Sequence, residues 1–241
     1  MTFKISKDIC KNFPSLRIGI LIGRDLKNYD HYIPELEQLK LQVENKVQSQ
    51  NYNTLNLTEH PFIGAWRTTY RKFGVKAKDH KPSAEAMIRR ILKGENIPHI
   101  NTIVDCYLII MCKYFLPLGG YDLDRIDGDI RLRYSSGGEE FTPIGVNEEE
   151  LTNPNEIVYS DDSGILTRRW NYRDCEKTKI TSKSKNVALF VEAGEKTIPT
   201  SEIEKVIFDL KTLLQNFCGG AYNSFVAYSN KQEEWKLNIF L

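Results

Sequence analysis

The run T-R-R-W-N-Y-R places Arg168, Arg169, Trp170 and Arg173 within a few residues of one another. Guanidinium groups supply fixed positive charge and paired donors, and an indole supplies a stacking face. Together they suit a phosphate, a carboxylate or an unstacked base. On an alternating strand, Arg168 and Trp170 share one face and Arg169 takes the other, so at most two of the three line one site. The same residues also suit cross-strand pairs with the acidic stretch that precedes them.

Two further stretches have chemical character. Arg67, Arg71, Lys72, Lys76 and Lys78 lie in a basic block interleaved with Trp66, Tyr70 and Phe73. At that helical spacing the aromatics read as core, and the lysines as residues that track a phosphate backbone. In L-P-L-G-G-Y-D, Gly119 and Gly120 follow the most apolar segment of the chain and read as a sharp turn that leaves space or exposes backbone amides. The motifs H-E-x-x-H, G-x-x-x-x-G-K-[ST], G-x-G-x-x-G and G-x-S-x-G are missing. The histidines, His31, His60, His80 and His99, are scattered, so no metal site is expected. Nothing here announces a generic hydrolase, kinase or dehydrogenase.

Charge is zoned although the net charge is only +1. Residues 62–93 carry nine Lys/Arg against Asp79 and Glu85, a local +7; residues 139–162 carry eight acids and no base; residues 163–185 carry seven bases against Asp174 and Glu176. Two basic zones around an acidic one suggest a polyanion-facing surface with a repelling border. The chain has 241 residues, 41% hydrophobic and 27% charged, enough to bury a substantial core. No apolar run reaches the roughly 18 residues a membrane span needs. Cys10, Cys106, Cys112, Cys175 and Cys218 form no C-x-x-C pair, which points to reduced thiols and a cytosolic setting.

These residues need elements to position them. SLRIGILIG (15–23) reads as a buried strand, 33–48 as a helix with Leu36, Leu39, Val43 and Val47 on one face, and 62–73 and 83–93 as helices. Gly94 stands where a left-handed residue closes the last of these. Asn101 caps TIVDCYLIIMCKYF, a helix apolar nearly all round and therefore central. From Asp122 to Glu192 the pattern changes to short strands, DIRLRY, EIVYS, ILTRRWNY and NVALFVEA, separated by turn clusters. A long helix follows, with Ser201 and Glu204 as a capping box, and FVAY with KLNIFL as a closing hairpin. The expectation is one α+β domain over 1–241, its β core built mainly from 122–192.

The succession PSAEAMIRRILKG, IPHINTIVD and LPLGGYDLDRIDGDIRLR resembles the B3/B4 editing and tRNA-binding domain of the phenylalanyl-tRNA synthetase beta subunit. VYSDDSGILTRRWNYRD, TKIT and NVALFVEA, further on, resemble free-standing proteins built from this domain alone. The resemblance runs from about Trp66 to Ala193, with the N-terminal strand and helix and the C-terminal helix and hairpin as extensions. It implies an α+β fold with a mixed, β-barrel-like sheet core and flanking helices, a cytoplasmic protein, and neither cofactor nor metal. In the synthetase this domain removes a wrongly attached amino acid, chiefly tyrosine, from tRNA. With Pro117, Asp122 and Asp105 as anchors, the family's pocket histidine falls on Gly119, and its threonine and asparagine on Tyr107 and Leu108. The glutamate that meets the tyrosine hydroxyl falls near Phe190, and a small, glycine-rich strand is replaced by Thr167-Arg168-Arg169-Trp170. The pocket implied is therefore Tyr107, Gly119, Gly120, Thr167, Arg168, Arg169 and Trp170, with tRNA along Arg67, Arg71, Lys72, Lys76, Lys78 and Arg173; no catalytic residue is assigned. Three functions fit: a trans-acting deacylase of mischarged aminoacyl-tRNA, a non-catalytic RNA-binding module, or a protein that holds an anionic metabolite on Arg168 or Arg169.

Overall fold

Short apolar strands need a second layer to bury their faces, and this chain supplies one with a second sheet and helices. A computed structural model describes residues 1–231 and 234–237. The elements run β1 (Thr2–Ile5), α1 (Lys7–Asn12), β2 (Arg17–Arg24), α2 (Pro34–Gln48), α3 (Pro61–Lys72), α4 (Ser83–Leu92) and α5 (Thr102–Tyr114). Then come β3 (Leu118–Asp122), β4 (Ile130–Tyr134), β5 (Glu140–Phe141), β6 (Glu150–Leu151), β7 (Ile157–Ser160), β8 (Ile165–Arg168) and β9 (Arg173–Asp174). The chain continues through β10 (Val187–Ala193), α6 (Thr200–Cys218), β11 (Ala221–Tyr228) and β12 (Glu234–Lys236). This is the expected α+β class.

One sheet has the order β12-β1-β4-β7-β8-β9 and is mixed, because β1 and β4 run parallel while its other pairs are antiparallel. The second, β11-β2-β10-β3, is antiparallel throughout, and β5 and β6 form a separate ribbon. Phe190 on β10 meets Phe3 on β1 and Tyr159 on β7 at ring separations of 5.4 and 5.6 Å, so the two main sheets face each other across an aromatic cluster. Among the described residues neither sheet closes into a barrel. Residues 122–192 supply four strands of the mixed sheet, but β2 and β11, from outside that range, complete the second one.

Helix α5 is buried nearly all round, as its composition requires, and packs on α2, α4, α6 and β3. The Asn101 side chain accepts from Val104 N at 3.1 Å, which caps it as expected. The chain leaves α5 through Phe115, whose φ of 56° makes the turn. Gly119 and Gly120 therefore lie within β3, at the end of its sheet, and not in a turn. Helix α6 starts at Thr200 with Pro199 as N-cap and no side-chain cap, so Ser201 and Glu204 do not form the capping box. Among the described residues β11 pairs with β2 and β12 with β1, not with each other, and residues 238–241 of the expected closing hairpin lie outside the described residues.

Candidate functional site

A cavity of about 60 Å³ lies between the facing sheets, bordered by Gly119, Gly120 and Tyr121 of β3 and by Phe190 and Glu192 of β10. Tyr159 and Thr167 border it from the mixed sheet, and the segment Trp170–Asp174 and Ser83 complete the wall. The volume holds several waters. β3 ends its sheet, so one edge of its backbone has no strand partner; Asp122 N on it donates to Thr178 O at 3.0 Å, while Gly119 and Gly120 are half-buried at the cavity.

Two carboxylates mark this wall. Glu192 is almost fully buried; its Oε1 accepts from Trp170 Nε1 at 3.0 Å and from the Tyr159 hydroxyl, and its Oε2 accepts from Asn171 Nδ2 at 2.8 Å. Burial pushes its carboxyl up to about 7, against the pull of those donors. Burial also pushes Asp174 up to about 6. Asp174 Oδ1 accepts from Thr167 Oγ1 at 2.6 Å, and the Tyr121 hydroxyl lies 2.6 Å from the same Oγ1, which completes a Tyr121–Thr167–Asp174 chain. A Cβ built on Gly119 would lie 3.7 Å from Asp174 Oδ2 and near nothing else, so Gly119 leaves open the space in front of that oxygen.

The sequence-derived residues divide. Gly119, Gly120, Thr167 and Trp170 meet at this cavity, and Arg173 joins them there. Tyr107 is not in the wall, but burial raises its hydroxyl's pKa and the Asp174 charge adds to the rise, so it sits within the field of the site. Arg168 and Arg169 are turned away. Arg168 Nε and Nη2 donate to Glu156 at 3.0 and 2.8 Å and Nη1 donates to Glu150 at 2.7 Å, while Arg169 pairs with Glu156 at 2.9 Å. All three nitrogens of Arg168 are thus engaged, and Arg169 is held by Glu156 through Nη2. The alternation expected along ILTRRWNY fails because β8 ends at Arg168, and Arg169 and Trp170 both take positive φ, 49° and 69°. Trp170 is not an open stacking face: it is fully buried, edge-on to Phe13 at 4.9 Å and to Trp66 at 5.4 Å.

The basic block divides too. Arg67 is held by buried Glu85 at 2.6 Å, Lys72 pairs with Glu195, and Arg173 pairs with Glu150 at 3.2 Å. Arg71, Lys76 and Lys78 are exposed, without an ion-pair partner among the described residues. Trp66 and Tyr70 are core, as their spacing implied. The segment that carries Lys76 and Lys78 adjoins the cavity. His80 packs on Tyr172 at 4.9 Å, Ser83 N donates to Asn171 O at 3.2 Å, and the Tyr70 hydroxyl donates to Asn171 Oδ1 at 2.8 Å.

Sequence reasoning missed Asp174, Glu192, Tyr121, Tyr159 and Asn171. One signal was available: Glu192 is the lone acid in the otherwise apolar strand VALFVEA, two residues beyond Phe190 and hence on its face. Elsewhere, Glu37, His99 and Asp105 bring possible metal-ligand atoms within 4.8 Å of one another. Lys40 Nζ already lies 2.8 Å from Glu37 and 2.7 Å from Asp105, so the protein's own ammonium fills the cation's place.

A family model described as the B3/4 domain matches residues 65–219. The phenylalanine–tRNA ligase beta subunit of Fusobacterium nucleatum is 30% identical over 103 residues, which is 43% of this chain and 12% of that one. That of Pectobacterium atrosepticum is 27% identical over 115 residues, 48% of this chain and 14% of that one. This chain therefore matches only a small part of these relatives' length. Among solved structures, an N-terminal fragment of the phenylalanyl-tRNA synthetase beta subunit from Pyrococcus horikoshii aligns with a TM-score of 0.46 and 14% identity, covering 91% of this chain and 49% of that one.

Proposed function

The chain belongs to the B3/4 domain family, and from that premise we propose that it is a cytoplasmic, single-domain tRNA-binding protein that hydrolyses mischarged aminoacyl-tRNA in trans. The observation that carries this reading is that the segment bearing the exposed Arg71, Lys76 and Lys78 reaches the Gly119 cavity, through Tyr70 on Asn171, His80 on Tyr172 and Ser83 in the wall. In this reading the phosphates of the acceptor end follow those cations, and the aminoacyl ester enters the cavity. The ester is already activated, so hydrolysis asks for a positioned water, a proton acceptor and donors near the developing oxyanion. The backbone of β3 at Gly119 and Gly120 borders the cavity and offers main-chain groups, and Glu192, raised to about 7, is a carboxyl that changes charge near neutral pH.

Binding without hydrolysis is the second reading. It is favoured by Gly119, Tyr107 and Leu108, which stand where the resemblance puts a histidine, a threonine and an asparagine. An anionic metabolite loses its support, because Arg168 and Arg169 are neutralised by Glu150 and Glu156.

The test is tRNA affinity as a function of salt, joined to a deacylation screen over the aminoacyl-tRNAs. Replacing Arg71, Lys76 and Lys78 with Gln should weaken binding and lower the log–log salt slope by about 0.7–0.9 per lost phosphate contact. Absent or salt-independent binding overturns the tRNA reading. Binding without acceleration of any deacylation leaves the second reading.

A further inference from the structure

The cavity wall carries two acids, and this bears on what it can hold. Asp174 and Glu192 stand in the wall, while Arg168 and Arg169 point into the Glu150–Glu156 cluster. Among the described residues, Arg173 is the one cation in the wall, and its Nη1 is already 3.2 Å from Glu150. Glu192 has both oxygens engaged by Tyr159, Trp170 and Asn171. Asp174 does not. Its Oδ1 accepts from Thr167, whereas Oδ2 has no donor among the described residues and faces the gap left by Gly119.

An oriented carboxylate oxygen with open space before it calls for a compact donor, and an ammonium is the strongest one available. The protein does the same elsewhere with its own side chain, seating Lys40 between Glu37 and Asp105. An aminoacyl ester carries an ammonium and no carboxylate, whereas a free amino acid carries both. Inside a low-dielectric cavity a ligand carboxylate close to Asp174 and Glu192 is repelled far more strongly than it is in water.

We propose, resting on the tRNA reading above, that Asp174 Oδ2 receives the α-ammonium of an aminoacyl ester and that the paired acids of the wall exclude the free amino acid. Asp174 is thus a specificity-determining residue. It admits the substrate class, α-aminoacyl esters, and keeps the cavity from filling with the product or with cellular amino acids. Thr167 and Tyr121 are positioning residues that fix the carboxylate so that Oδ2 and not Oδ1 faces the ligand.

The experiment titrates the full chain at pH 7 with glycinamide, alaninamide and tyrosinamide, then with the parent amino acids and the N-acetyl amides, by NMR. The amides keep the ammonium and lack the carboxylate. At least one should bind about tenfold or more tightly than its parent and its N-acetyl form, the range of one charge-assisted hydrogen bond. Asp174→Asn, which keeps an acceptor for Thr167, should erase that preference, and Gly119→Val should block amide binding while the melting curve stays cooperative. The proposal is overturned if no amide binds, if parent acids bind as well as amides (as they would on Arg173), or if Asp174→Asn keeps the preference. The same variants are assayed for tRNA. Amide binding without tRNA affinity defeats the tRNA reading alone, and tRNA deacylation indifferent to Asp174→Asn defeats this inference alone.

Discussion

From Ile165 to Asp174 the chain treats charge in two opposite ways. On one side, Arg168 and Arg169 are buried against Glu156 and Glu150, each cation matched by an anion at 2.7–2.9 Å. On the other, Asp174 and Glu192 face a cavity whose one cation among the described residues, Arg173, is taken by Glu150, and burial raises both acids. Charges that are neutralised in place hold a structure together. Charges left unmatched beside a void cost stability and are candidates for function. The contrast inverts what residue types suggest, since the arginines serve the fold and the acids serve the site.

The largest effect should come from breaking the matched side. Glu156 is buried and receives both arginines, so Glu156→Ala leaves buried Arg169 without its ion-pair partner and Arg168 with Glu150 alone. The expected loss is about 3–5 kcal/mol in urea unfolding. A loss under about 1 kcal/mol would mean that the pairing is solvent-screened and the contrast false.

The unmatched side should respond with the opposite sign. Asp174 ionises in the unfolded chain near 3.8 and in the folded protein at about 6, so the folded state holds the extra proton between those values. Stability therefore falls as pH rises through that window, and the cost is fully present above it. Asp174→Asn should stabilise the protein by about 3 kcal/mol at pH 8 and by nearly nothing at pH 3.5. Denaturant titrations of both proteins across that range check it; a variant less stable than the parent at pH 8 would show that Asp174 has a cation partner.

Much of this arrangement was legible in the sequence. The strand at 15–23, the three helices α2, α3 and α4 and the apolar helix α5 follow from period and caps, and each forms within a residue or two of its expected ends, whereas the short α1 was not expected. What was not legible is where β8 stops. Arg169 and Trp170 both enter the left-handed region, which non-glycine residues seldom do, and no local signal announces it. Buried packing of Trp170 on Phe13 and Trp66, with its N–H on Ile157 O, holds that geometry. Those are contacts between distant segments. The same turn sends Arg169 to Glu156 and brings Asp174 back to Thr167, so one unforeseen bend moved the arginines out of the site and an aspartate into it.

The smallest effect is expected at the glycines that border the void, and there the two neighbours should differ. A Cβ on Gly120 would lie 2.5 Å from Ala188 O and collide with Leu189, neither of which can yield without moving β10. Gly120→Ala should therefore cost about 1–3 kcal/mol, as overpacking does. A Cβ on Gly119 meets nothing nearer than 3.7 Å, and its φ is not positive. Gly119→Ala removes freedom from the unfolded chain without strain in the folded one, which leaves stability unchanged or raises it by up to about 1 kcal/mol. The pair is measured by thermal and urea unfolding of both variants beside the parent. Equal destabilisation by both would mean that the space before Asp174 is closed in solution, and the cavity would lose its claim to a ligand. A silent Gly119→Ala beside a costly Gly120→Ala means that one glycine lets β3 lie close against β10 and its neighbour keeps the site open.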